Sequence, residues 1–177
     1  MTLRFVPEYY FNKFDNTTAE FLLSLKIKGI ILDVDNTLEP YEVALPEEHV
    51  IKWFESLRAA GISYSIVSNN NGERINRFAE GLGIPVFCKA KKPFSKNVKR
   101  AMAIMGTTKE NTILIGDQIF TDVWAAHNAG IPAILVPPIK DKTDIFTRFK
   151  RLLEKPILRK YNKALRKSQA ESRGMDE

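Results

Sequence analysis

Three joints in this chain repeat one device: Gly61–Ile62, Gly83–Ile84–Pro85 and Gly130–Ile131–Pro132 each set a glycine directly before an apolar run. A glycine ends a helix without steric cost, and the apolar run after it reads as a strand, so each joint marks a helix-to-strand crossover. Strands are expected at Lys28–Asp33, Ile62–Ser68, Ile84–Phe87, Thr112–Ile115 and Ala133–Val136. Helical spacing falls between them, over Glu47–Ala60, roughly Glu73–Leu82, Pro93–Met105 and Phe120–Ala129. The strands are unbroken apolar runs rather than alternating ones, which requires cover on both faces. The expected fold is α/β, a doubly wound parallel sheet.

In such sheets ligands bind beyond the carboxyl ends of the strands. The unusual polar residues of this chain lie there, in Asp33–Thr37, Ser68–Asn71, Lys89–Lys92 and Gly116–Asp122. Asp33 and Asp35, two residues apart at a strand end, would repel each other unless a cation or a proton relieves them. Oxygen ligands of this kind suit Mg²⁺, and a carboxylate can also attack phosphorus as a nucleophile. The plainer account is a solvated turn. Asp117 follows Gly116 and could complete a metal site, with Asp122 further along toward the next helix, although Asp and Thr also favour helix starts. Ser68, Asn69 and Asn70 could hold phosphate oxygens or serve only as turn residues. Lys91 or Lys92 could neutralise a bound phosphate or the carboxylates, or merely be solvated.

Taken together in this order, the four segments resemble the motifs of the haloacid dehalogenase superfamily of phosphotransferases, over about Ile27 to Val136. The GDQxxTD form, the SNN segment and the small size are similar to its subfamily III, YqeG-like phosphatases. The resemblance implies Asp33 as the nucleophile and Asp35 as general acid and then base. It implies Mg²⁺ held by the side chains of Asp33 and Asp117 and the backbone carbonyl of Asp35. Ser68 would bind a phosphoryl oxygen, and Lys92, which directly precedes proline, would stabilise the nucleophile and the transferring group. Asp122 would orient Lys92 or metal-bound water, with Thr37 in the same turn and Asn69 in the same phosphate loop.

Members of that superfamily often carry a cap domain after the first or second motif. Here only nine residues, Leu38–Pro46, separate Thr37 from the next helix, and 23 separate Ser68 from Lys92. Neither gap holds another domain, so a capless enzyme is expected, its site open to a large substrate or covered by another subunit.

Charge divides the chain. Residues 1–139 carry 15 basic and 15 acidic side chains, whereas residues 140–177 carry 12 and 6, so the net +6 belongs to the tail. The chain is therefore read as an aromatic segment (1–26), a catalytic domain (27–139) and a basic amphipathic helical tail (140–177) with a disordered end. Phe5 to Phe14 holds five aromatics in ten residues. Aromatics and a basic amphipathic helix could rest on an anionic membrane, or the aromatics could cover a sheet edge and the tail pack on the domain. YqeG-like chains are similar to mitochondrial phosphatidylglycerophosphate phosphatases, and on that resemblance the expected substrate is phosphatidylglycerophosphate. The alternatives are a soluble phosphatase for a small metabolite or nucleotide, and an RNA- or ribosome-binding protein with a vestigial site. Nucleic acid is not the first choice, because the tail lacks the aromatic interleaving of single-strand binders.

A single cysteine, Cys88, excludes an intramolecular disulfide, and no apolar run reaches membrane-spanning length. With no signal-peptide pattern over residues 1–25, a cytoplasmic setting is expected, peripheral on the membrane if the lipid reading holds. His49 and His127 fall inside expected helices with no second His or Cys at metal-ligand spacing and carry no functional assignment.

Overall fold

The computed structural model describes residues 5–140 and, beyond them, only Pro156 and Arg159. The tail helices read over 140–177 otherwise lie outside the described residues. In chain order the elements are β1 (Tyr9–Tyr10), α1 (Ala19–Ser24), β2 (Gly29–Leu32), α2 (Glu48–Ala59), β3 (Ser63–Val67) and α3 (Gly72–Ala79). They continue as β4 (Val86–Phe87), α4 (Lys96–Met105), β5 (Thr112–Gly116), α5 (Trp124–Ala129) and β6 (Ala133–Leu135). Among the described residues the strands form one six-stranded sheet, order β1-β6-β5-β2-β3-β4, with every pairing parallel. The doubly wound fold expected from the sequence is the one observed.

Pleating divides the strand residues between two cores. Ile30 and Leu32 of β2, Ile113 and Ile115 of β5 and Ile134 of β6 face one cluster, where Leu22, Val50, Phe54, Leu57, Ile75 and Phe78 of α1, α2 and α3 meet them. Ile31, Leu114, Ala133 and Leu135 face the other, with Val98, Ala101, Ala125 and Ala126 of α4 and α5. Full burial of a large aliphatic or aromatic side chain stabilises by about 1.5–3 kcal/mol, so α2, burying Val50, Trp53, Phe54 and Leu57, is held by packing.

The aromatic N-terminal segment is built into this sheet. β1 pairs with β6, and Tyr9 and Phe11 both pack edge-on against Phe21. Phe5 meets Phe120 and Trp124, and Phe14 meets Trp53, whose indole N–H donates to the Thr17 carbonyl at 3.0 Å. These rings cover the sheet edge and the adjacent helix.

Two helices differ from expectation. The helix expected over Pro93–Met105 begins at Lys96, because Lys91 adopts φ 56° and Phe94 N–H closes a turn onto the Lys91 carbonyl. The helix expected to run to Leu82 ends at Ala79; Glu80 is extended and Gly81 left-handed, at φ 79°. No domain is inserted among residues 38–46 or 69–91, where only the loop after β2, α3 and β4 are found. No helix among the described residues is long and apolar enough to cross a membrane.

Candidate active site

The chain moves outward from β2 through β3 to β4, then returns to the other side of β2 for β5. The order therefore reverses between β2 and β5, which opens a crevice at their carboxyl ends. Leu32 lies opposite Ile115 and the Asp33 N–H donates to the Ile115 carbonyl at 3.0 Å, so Asp33 leaves β2 beside Gly116 and Asp117 of β5. Asn36, left-handed at φ 63°, turns the chain immediately, a conformation that Asn tolerates better than most residues.

Carboxylate oxygens of Asp33, Asp117 and Asp122 lie within 4.8 Å of one another, all three side chains buried. Lys92 enters this cluster: its Nζ is 3.0 Å from Asp33 Oδ1 and 2.6 Å from Asp122 Oδ1. Burial alone would push the Lys92 ammonium down; the charges of Asp122 and Asp33 outweigh it and shift the group up, so it stays charged. Burial pushes the Asp122 carboxyl up, against the opposing pull of Lys92 and with a further push from Asp33. Three buried carboxylates thus face one buried ammonium. Hard oxygen donors with this excess of negative charge fit a divalent cation.

The local structure serves this convergence. Ile119–Val123 forms a widened π-turn in which the N–H groups of Asp122 and Val123 both reach the Gln118 carbonyl, at 2.9 and 3.3 Å. Asp122 Oδ2 in turn accepts from the Gln118 N–H at 3.1 Å. A side chain at Gly116 would overlap Asp122, so this position needs glycine for close approach. Lys92 is held by Asn69, whose Oδ1 accepts from the Lys92 N–H at 2.7 Å and whose Nδ2 donates to the Lys92 carbonyl at 3.1 Å. The Lys92–Pro93 peptide bond is cis.

Of the residues singled out in the sequence, Asp33, Lys92, Asp117 and Asp122 are brought together directly. Thr37 Oγ1 donates to Asp117 Oδ1 at 3.5 Å, a long contact, and joins the same cluster. Ser68 is buried at the end of β3, its Oγ accepting from the Asn70 N–H at 3.1 Å. Asn69, expected at a phosphate, has its amide engaged with the Lys92 backbone. Asp35 is buried two residues after Asp33, with partners at the end of β3 and the start of α3. Its Oδ2 accepts from Asn70 Nδ2 at 2.9 Å, and its Oδ1 lies 2.9 Å from Arg74 Nη2.

Arg74 and Glu39 carried no signal in the sequence. Glu39 is buried in the loop after β2, and its Oε1 accepts from the Glu47 N–H at 2.9 Å. His49 pairs with Glu47 on the surface, and His127 with Glu8 at the amino end of β6; neither reaches the cluster. Burial pushes the Cys88 thiol up, which makes it a poor nucleophile.

The profile of the family described as haloacid dehalogenase-like hydrolase matches residues 7–136. A probable phosphatase, YqeG of Bacillus subtilis (strain 168), is 40% identical over 154 residues, 87% of this chain and 90% of its own. The cobalt-bound deoxy-D-mannose-octulosonate 8-phosphate phosphatase of Haemophilus influenzae has a similar fold: TM-score 0.52, 21% identity, 64% of this chain and 81% of its own. An uncharacterized protein of Listeria monocytogenes serotype 4b is similar at TM-score 0.52 and 17% identity, with 67% and 85% of the two chains covered. By profile and by identity to the Bacillus protein, the chain belongs to the haloacid dehalogenase-like hydrolase family.

Proposed function

We propose that this hydrolase is a Mg²⁺-dependent phosphatase that cleaves phosphomonoesters through an aspartyl-phosphate on Asp33. The observation that carries the reading is the cluster of Asp33, Asp117 and Asp122 at the switch between β2 and β5, with the Lys92 ammonium paired to Asp33 and Asp122. Asp33, Asp117 and the backbone carbonyl of Asp35 would hold the cation. When bound, it would neutralise charge on the phosphoryl oxygens.

Asp33 is the nucleophile: its carboxylate attacks phosphorus in line and the ester oxygen leaves. Lys92 offsets charge on Asp33 and on the transferring group, and it remains cationic because two carboxylates hold its proton. Ser68, at the end of β3, donates to a phosphoryl oxygen. Asp35 gives a proton to the departing oxygen and then takes one from the water that hydrolyses the aspartyl-phosphate. Asp122 orients Lys92, and Thr37 steadies Asp117. Asn69 serves the phosphate site by holding the Lys92 backbone.

The proposed substrate is a lipid phosphomonoester, phosphatidylglycerophosphate, at a membrane surface. Exposed apolar side chains support it on the strand-end side of the sheet: Tyr41 and Leu45 in the loop after β2, Phe94 after Lys92, and Ile139, whose N–H donates to the Asn36 carbonyl. The basic residues of the tail would complement an anionic surface. A soluble phosphomonoester is the second reading, favoured by the use of Phe5, Tyr9, Phe11 and Phe14 in internal packing.

Phosphate release in Mg²⁺ from phosphatidylglycerophosphate in anionic vesicles, measured beside phenyl phosphate, separates the two. Preferential turnover of the lipid supports the first. Phenyl phosphate turnover without lipid turnover moves the assignment to soluble esters, and a wild type inert toward both esters contradicts the phosphatase reading.

A further inference from the structure

Arg74 stands in the first turn of α3 and reaches back to the loop after β2. Its Nη1 donates to the Val43 carbonyl at 2.8 Å and its Nη2 to the Pro40 carbonyl at 3.0 Å. The same Nη2 lies 2.9 Å from Asp35 Oδ1, and the guanidinium carbon sits 5.3 Å from the centre of the Tyr41 ring. The Arg74 side chain is 12% exposed and that of Asp35 7%, so the pair is shielded from solvent screening. The loop that braces the guanidinium is itself pinned: Glu39 accepts from Glu47 N–H across its ends, and Val43 N–H donates to the Pro40 carbonyl at 3.0 Å within it.

We propose that Arg74 is a positioning residue that acts through Asp35, fixing the direction in which its carboxyl oxygens face the reacting ester; this rests on the role of Asp35 in the reading above. Two carbonyls hold the guanidinium, and the Nη2 that meets Pro40 also reaches Asp35. Asn70 Nδ2 takes the other Asp35 oxygen, so the carboxyl is clamped between the end of β3 and the start of α3. A brace for the loop alone would need only the carbonyls. A lysine, with a single nitrogen on a flexible stem, cannot bridge two carbonyls and a carboxylate in one plane.

The test separates positioning from general support of the fold. The parameter kcat/KM covers only the steps up to formation of the aspartyl-phosphate, so it isolates proton delivery to the leaving oxygen. Phenyl phosphate needs that proton; 2,4-dinitrophenyl phosphate has a leaving group that departs without it. Wild type, R74K, R74A, D35N and D35N/R74A are compared on both esters in Mg²⁺. The expected loss in R74A is on the order of 10²-fold for phenyl phosphate and under about tenfold for the dinitrophenyl ester, with R74K failing to restore the first. In the D35N background, R74A should add no further loss on phenyl phosphate. Equal losses on both esters in R74A, or in R74K if R74A fails to fold, overturn the inference. So does a full multiplicative loss in the double variant. Wild type inert on both esters overturns the phosphatase reading itself, and the inference with it.

Discussion

Asn69 and Lys92, 23 residues apart in sequence, are joined by two hydrogen bonds from one amide side chain to the N–H and carbonyl of one residue. The Lys92 backbone is thereby fixed at the end of β3, and its side chain is left to extend into the carboxylate cluster. Asn69→Ala should let Lys92 drift and lower kcat by about 10²-fold, since displacements near 1 Å at a reacting centre have effects of that size. Steady-state kinetics with phenyl phosphate check this. Wild-type turnover in the variant would show that Lys92 is positioned without Asn69.

Lys92→Met removes the cation that Asp33 and Asp122 share. Breaking a buried pair by deleting one partner costs roughly 3–5 kcal/mol, because the charge left behind has no compensation. The metal-free variant should unfold at a markedly lower temperature than wild type, and millimolar Mg²⁺ should recover part of the loss. A variant as stable as wild type without metal would mean that the cluster does not depend on Lys92.

Gly116→Ala places a methyl group where the Asp122 side chain already lies. Overpacking of this kind destabilises by typically 1–3 kcal/mol. Activity should fall further than stability, since Asp122 anchors Lys92. Thermal unfolding and kinetics measured together test the order of the two effects, and unchanged kinetics would separate Asp122 from the site.

Glu8 supplies the pH dependence at the other end of the sheet. Its Oε2 accepts from the Ala133 N–H at 2.7 Å and His127 Nε2 lies 3.2 Å away, which locks β1 beside β6. Burial raises the Glu8 carboxyl, but these partners more than offset it, and the net shift is below the ordinary 4.5. A lowered carboxylate stabilises the fold above its unfolded-state value, and that contribution is lost as pH falls through the folded-state value. The Tm gap between wild type and Glu8→Gln should be full above about pH 5.5 and shrink below the ordinary carboxylate range. A gap independent of pH would remove Glu8 from the acid response.

How much of this was legible in the sequence depends on reach. Asp33, Asp117 and Ser68 sit at strand ends, so apolar runs and a polar turn located them, and the parallel topology followed from strands needing cover on both faces. β1 is two residues long and has no periodicity to detect; its place beside β6 comes from contacts across the whole chain. Arg74 carries no local signal, because its partners at Asp35, Pro40 and Val43 lie more than thirty residues away. The widened turn at Ile119–Val123 was read as an ordinary helix start. Within it Asp122 is buried against Lys92, a contact that local sequence does not encode.

The nucleophilic role of Asp33 is tested most directly by Mg²⁺-dependent phosphate release from phenyl phosphate by wild type and Asp33→Asn, with both proteins quenched in acid and their peptides weighed. The account predicts turnover and a phosphoryl adduct on the Asp33 peptide in wild type, and neither in a folded Asp33→Asn variant. Near-normal turnover by that variant would contradict it.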